Sequence, residues 1–515
     1  MAKIGIDFGT TNSLMVAYDK RKNEFTYFSY DGERPIPISS TVWYNDNKIR
    51  VGSEAREKIY RYSEIAGHHF EKSIKLKLGT EYIANIFGQS VTPSLVAAEI
   101  LKHIKTVAIE NYKADKVVDD LRRAVFTVPI NFSGKARRDL RNAANEAGIE
   151  VSTFIHEPFA AIVGYYFTRE KRDYETIISD LISLDGKYVL TFDWGGGTLD
   201  ITVVKIENGK MKEMGTAELT GLAGDKFDED IATWAWNKYL DKIEKGKYTA
   251  DYLEIQRKKK WGRMLAIAEK CKIELSSEES TEFLLDTVLP DEEIGLYEEL
   301  TRKEFSKLIQ DTIDKACNKI DIAIKQAGIN DINISEVLLT GGTCCIPAIQ
   351  DSLKEKFGHR VEIIDNADLV IAQGAAVVSE LGWLPFLTKD IQVELCDDSY
   401  WALFEHDMPI ASDKEAIKNE TFTCVDQRNS IAKVIISDGI GQQKDSTLAI
   451  LNVPVLADSR FGDDIILEAK IDKDIILHIS AYSKMVHGYG KYENYSIKTP
   501  PAEIYKMCFG LEIVR

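Results

Sequence analysis

Two stretches of the chain share one alternation of apolar and polar positions. In KIGIDFGTTNSLMVAYD (residues 3–19), Ile4, Ile6 and Phe8 alternate with Gly5 and Asp7, the period of a strand. Gly9-Thr10-Thr11-Asn12 then supplies turn chemistry, and Leu14 to Tyr18 resumes as a second strand. Residues 188–204 repeat the scheme. YVLTF leads into Asp193, Gly195-Gly196-Gly197-Thr198 turns the chain, and Ile201 to Val204 returns. Both stretches read as β-hairpins with Gly/Thr tips and an aspartate at the end of the incoming strand.

Around these hairpins strand and helix patterns alternate. Residues 23–52 read as β-rich with Pro and Asn turns, residues 94–112 carry a helical apolar period, and AVFTVP (124–129) is strand-like. KARRDLRNAANEAG is a polar helix stopped at Gly148, and VSTFI then EPFAAIVGYYF read as a short strand and a buried helix. A helix starts near Asp225 with Phe227, Ile231 and Trp234 on one face, and another covers 250–275. Residues 338–358 read strand, glycine turn, helix; a small-residue helix surrounds Gly374. This order predicts an α/β architecture of two related halves over residues 1–383. Composition changes in WLPFLTKD, and 384–390 reads as a linker. Beyond it, TFTCV, AKVIIS, DIILEAKI and DIILHISAY alternate between polar turns, which predicts an all-β sandwich over 391–484. Residues 485–515 read as a tail without a long amphipathic helix.

Charge and cysteine content narrow the class. Lys and Arg total 65 against 82 Asp and Glu, a net charge of −17, which argues against nucleic acid or an anionic membrane as a partner. The run Arg257-Lys258-Lys259-Lys260 fits one solvated helix face. No apolar run is long enough to span a bilayer, and MAKIGID does not read as a signal peptide. Seven cysteines without zinc spacing fit free thiols in a reducing cytosol, so a cytoplasmic protein is expected.

The paired tips carry the chemistry. Glycine lets the backbone turn its N–H groups toward a phosphate, and threonine hydroxyls add donors. An aspartate beside phosphate is repulsive unless a cation intervenes, so Asp7 and Asp193 point to Mg²⁺ held through water. One such hairpin alone reads as an ordinary tight turn; the matched pair does not. A third glycine turn at 341–343 could back an adenosine. GxxxxGK[ST] does not occur, and no GxGxxG follows a strand, which removes the P-loop and the simplest dinucleotide readings.

In GIDFGTTNS, SIKLKLG, FTVPINF, IHEPFAAIVGYY, FDWGGGTLD, AEKCKIELSS, GGTCCIP and IAQGAAV, taken in order, the chain resembles the actin-like ATPases. Specifically it resembles the DnaK-type heat-shock chaperones. The resemblance implies that Gly9, Thr10, Thr11 and Asn12 cradle the β- and γ-phosphates of ATP or ADP, with Gly195, Gly196, Gly197 and Thr198 opposite. Asp7 and Asp193 would hold hydrated Mg²⁺, and Lys75 would touch the γ-phosphate and attacking water. Glu157 would orient the metal's water or act as a weak base, with Asp200 assisting. Gly224, Glu269, Lys272, Ser276, Gly341, Gly342 and Asp368 would surround the nucleotide. Pro129 and Arg137 resemble the family's nucleotide-reporting switch. Read alone, Lys75 is a surface charge, Glu157 a helix-start carboxylate favoured by the dipole, and Gly374-Ala375-Ala376 close helix packing.

The chain departs from the family pattern in three places. The expected helical lid is missing from the 485–515 segment, so bound peptide is expected to leave quickly. Gln392 and Glu394 interrupt the apolar run after Lys389-Asp390, which is expected to weaken or reorient linker docking. Cys345 and Thr153 stand where the family has arginines, for adenine stacking and for J-domain co-chaperone docking. The resemblance therefore does not carry over a J-domain partner. It implies slow ATP hydrolysis coupled to binding of unfolded or extended polypeptide clients, with a nucleotide exchange factor as a further partner. Two other readings are an ATP-gated assembly protein with little turnover and a sugar kinase of the same fold. Turnover stimulated by unfolded peptide, or dependent on a sugar, separates them.

Overall fold

A computed structural model describes residues 3–28, 36–45, 48–62, 65–111, 121–169, 174–289, 294–364, 366–410, 415–423, 430–455, 464–484 and 495–513. The first hairpin, Ile4–Phe8 with Asn12–Asp19, sits in a sheet whose strands run Glu150–His156, Arg123–Val128, Ile4–Phe8, Asn12–Asp19, Glu24–Tyr27. The second, Tyr188–Trp194 with Thr198–Glu207, sits in Val361–Ile363, Ile334–Thr340, Tyr188–Trp194, Thr198–Glu207, Lys210–Thr220. Both sheets place two parallel strands, then the hairpin, then one more antiparallel strand. The two halves expected from the repeated hairpin are these two sheets.

Helices Glu157–Thr168 and Val370–Leu381 join the halves. A Cβ on Gly374 would lie 1.8 Å from the Ala160 carbonyl oxygen, and one on Gly164 2.0 Å from that of Val370. Their backbones touch, so any side chain there would force the helices apart. The plain packing reading of Gly374 is the right one. Leu14, Val16, Phe159, Val204 and Val377 fill the core between the sheets.

The sandwich stacks two four-stranded sheets. One runs Tyr400–Phe404, Asp390–Glu394, Ile431–Ile440, Gln443–Pro454; the other runs Ala416–Thr423, Asp464–Ile471, Leu477–Lys484, Ala502–Ile504. Residues 424–429 and 485–494, part of the sandwich and tail readings, lie outside the described residues.

The structure differs from the expected boundary. Within 384–390, Pro385–Leu387 is a buried strand rather than a free connection, and it pairs antiparallel with Phe509–Glu512. That strand in turn pairs with Lys210–Thr220, so segment 509–512 is inserted into the second sheet of the ATPase-like unit. Asp390–Glu394 already belongs to the sandwich, where Gln392 is buried and donates to the Gln443 carbonyl. Local composition shows a break at 383–390 but not a partner strand more than a hundred residues later.

A second contact joins the units. From helix Gly134–Glu146, Arg137 donates to the Asp474 and Ile475 carbonyls, and Arg141 to the Lys473 carbonyl and the Asp474 carboxylate. Both guanidinium groups are buried, and the hairpin tip they hold carries Ile475 at φ 57°. Among the described residues, no helix is long and apolar enough to cross a membrane.

Candidate nucleotide site

The two Gly/Thr tips face each other across the gap between the halves. A Cβ on Gly196 would lie 2.3 Å from Thr11 Oγ1, and one on Gly197 3.1 Å from Thr10 Cγ2. Glycine is therefore required by closeness, and the backbone there is open to an incoming anion. The tips border a cavity of about 490 Å³. Gly9, Thr10, Thr11 and Asn12 line one side, and Gly195, Gly196, Gly197 and Thr198 the other.

Charged groups gather beneath the tips. Asp7, Asp193, Asp200, Glu157 and Lys75 all line the cavity, and Lys75 Nζ lies 2.5 Å from Glu157 Oε1 with both side chains buried. Burial pushes the proton affinity of the Glu157 carboxyl up; Lys75 opposes this, while Asp7 and Asp193 add to it. Burial, followed by Asp200 and Asp7, pushes Asp193 up to about 7. Burial likewise raises Asp200 to about 6. Four carboxylates thus share one ammonium, and the site is short of positive charge. A divalent cation fits that donor set. Among the described residues no three His, Cys, Asp or Glu side chains converge closely enough to grip an ion directly. An ion here would keep water between itself and these carboxylates.

At the far end, Glu269, Lys272, Ser276, Gly341, Gly342 and Asp368 line the cavity beside Ile273, Ile346 and Ile371. Gly341 sits at φ 82°, and its Cβ would lie 2.4 Å from the Trp194 carbonyl oxygen, so only glycine turns the chain here. Gly224 does not line the cavity. It stands one layer behind, donating to the Gly195 carbonyl and accepting from Lys272 Nζ at 2.9 Å. Cys345 is exposed on the adjoining turn and is not a lining side chain.

Three further side chains contribute that no sequence motif singled out. Arg56, from helix Ser53–Tyr62 of the first half, pairs with Glu269, from helix Ala250–Glu274 of the second, and bridges the cleft. Nothing in SEAREKIYRY marks that arginine. Thr343 Oγ1 donates to the Gly195 carbonyl at 2.8 Å, tying the third glycine turn to the second tip. Thr127, inside FTVPINF, donates to Asp7 Oδ1 at 2.8 Å.

A family model described as Hsp70 protein matches residues 3–501. The chain belongs to the Hsp70 family. The two matched sheets are accordingly the halves of an actin-like ATPase fold. Hsp70 proteins are chaperone-type, nucleotide-binding ATPases that usually use Mg²⁺ and generally bind unfolded polypeptide. The match covers the sandwich up to its last strand, Ala502–Ile504, and stops before the strand Phe509–Glu512.

Proposed function

We propose that this Hsp70 protein binds ATP in the cleft between its two halves, hydrolyses it slowly, and uses the bound state to control an extended polypeptide on the sandwich. The observation that carries the reading is the pair of opposed Gly/Thr tips above four buried carboxylates and one buried lysine. Thr10, Thr11, Asn12, Gly195, Gly196, Gly197 and Thr198 cradle the phosphates. Asp7 and Asp193 would hold a hydrated Mg²⁺, which supplies charge neutralisation to the phosphates when bound. Lys75 balances negative charge developing on the γ-phosphoryl group. Glu157, paired with Lys75, orients the attacking water and acts as a weak base. Asp200 supports Thr198 beside it. Glu269, Lys272, Ser276, Gly341, Gly342 and Asp368 hold the adenosine end.

A cavity of about 920 Å³ in the sandwich, lined by Val393, Leu395, Trp401, Phe422, Val434 and Ile465, suits an extended apolar segment. Helix Gly134–Glu146 supplies the coupling. Ser133 and Ala136 at its start line the nucleotide cavity, and Arg137 and Arg141 hold the sandwich hairpin. These side chains share the first two turns of one helix, so a shift at the cavity moves the arginines with it. Among the described residues the cysteines form no disulfide, which suits work in a reducing cytosol. The test is peptide dissociation from the full-length protein, followed by fluorescence polarisation with ADP and with ATP. The reading requires faster release in ATP; identical rates would remove the coupling, and absence of peptide binding would remove the client role.

A further inference from the structure

The register of both sheets places a threonine beside each metal-facing aspartate. On the parallel neighbour of the first hairpin, Thr127 stands opposite Asp7; on that of the second, Thr340 stands opposite Asp193. Both threonines are fully buried in strands that are otherwise apolar there, with Val125, Phe126 and Val128 around one and Val337, Leu338 and Leu339 before the other. Valine has the same shape and is the expected residue at such positions, so the hydroxyl calls for a reason.

The two hydroxyls differ in what they hold. Thr127 Oγ1 donates to Asp7 Oδ1 at 2.8 Å. Thr340 Oγ1 is buried without a hydrogen-bond partner, on the residue paired with Asp193 in the parallel ladder. We infer that Thr127 and Thr340 are positioning residues for the metal-facing aspartates: Thr127 pins one oxygen of Asp7 and leaves the other to the cation's water shell, and the unpartnered Thr340 hydroxyl is placed to take up the same role at Asp193 when the cation draws that carboxylate into place. This rests on the nucleotide reading above. A pinned carboxylate loses little rotational freedom when the ion arrives, so the hydroxyl acts on metal affinity through Asp7 and Asp193. Neither threonine itself lines the nucleotide cavity; each stands behind its aspartate.

The experiment is calorimetric titration of Mg²⁺ into the full-length protein saturated with ADP, with ADP affinity in EDTA measured beside it. Thr127→Val is expected to weaken Mg²⁺ about tenfold, as loss of a hydrogen bond to a charged group does. Thr127→Ser keeps the hydroxyl and is expected to stay within about twofold of wild type, and Thr340→Val to weaken Mg²⁺ several-fold. ADP affinity in EDTA stays unchanged in all three. Unchanged Mg²⁺ affinity in a folded Thr127→Val protein overturns the inference, as does an equal loss of ADP affinity in EDTA. If Thr127→Val does not fold, Thr340→Val decides, because it breaks no hydrogen bond of the free protein. A wild-type protein that binds no ADP under either condition overturns the nucleotide reading itself, which is a different outcome from an unmoved Mg²⁺ titration.

Discussion

Gly510→Ala tests whether the strand Phe509–Glu512 holds the two units together. The added Cβ would lie 2.4 Å from the Met211 carbonyl oxygen and 2.5 Å from Phe386 Cζ. Met211 is paired with Leu511 in the ladder, so its oxygen cannot retreat without breaking that pairing. Such overpacking costs about 1–3 kcal/mol. Against it stand the buried Phe509 and Leu511, each stabilising by roughly 1.5–3 kcal/mol, so the strand is expected to stay docked under strain. Phe509→Ala goes further. Phe509 stacks on His156 with ring centroids 3.9 Å apart, and its truncation is expected to cost about 3–5 kcal/mol and free the strand. The assay is urea unfolding followed by tryptophan fluorescence, with limited proteolysis across 384–390 to report release. The expected order is wild type, Gly510→Ala, Phe509→Ala, with ADP affinity unaltered because neither residue lines the cavity. Unfolding free energies within about 0.5 kcal/mol of wild type for both variants, with no new cleavage, would show that the strand does not hold the units together.

Gly196→Val would drive a branched side chain into Thr11 Oγ1, and ADP affinity is expected to fall more than tenfold while the unfolding midpoint of the sandwich holds; unchanged affinity in calorimetry would clear Gly196 of the cradle. His156 is fully buried, and burial, with Arg137 adding to it, brings its proton affinity down to about 3 from an ordinary 6.5. Its stabilising contribution is therefore complete above pH 6.5 and declines as pH falls below it, because the unfolded chain takes up a proton the folded chain resists. Between pH 6.5 and 5 this amounts to about 2 kcal/mol, and His156→Phe is expected to flatten the slope; parallel pH profiles of the two proteins would contradict it.

Asp7 and Asp193 are legible in the sequence because a period-2 strand, an aspartate and a Gly/Thr turn are all local signals, and their repetition excludes chance. Lys75 and Glu157 carry no such local signal. They become readable through the resemblance, and the structure then brings them to 2.5 Å of each other. Arg56 is invisible because its partner Glu269 lies in the other half, and a pairing across a cleft leaves no periodicity behind. The same reason hides the strand Phe509–Glu512: PFL and FGLE are short apolar pieces whose meaning is fixed only when each finds the other. Gln392 misleads in the opposite direction. A polar residue that interrupts an apolar run reads as a weakened linker, yet here it is a buried strand residue whose amide donates to Gln443.

The most direct measurement of the central claim is single-turnover hydrolysis of ATP, with Mg²⁺ present, by wild type and by Asp193→Asn. The asparagine keeps the size of the buried aspartate and removes its charge, so the fold and ATP binding are expected to persist. Wild type is expected to convert bound ATP to ADP slowly, and Asp193→Asn to do so more slowly by about two orders of magnitude or more. Hydrolysis by Asp193→Asn at the wild-type rate, or none by wild type, would contradict the nucleotide reading.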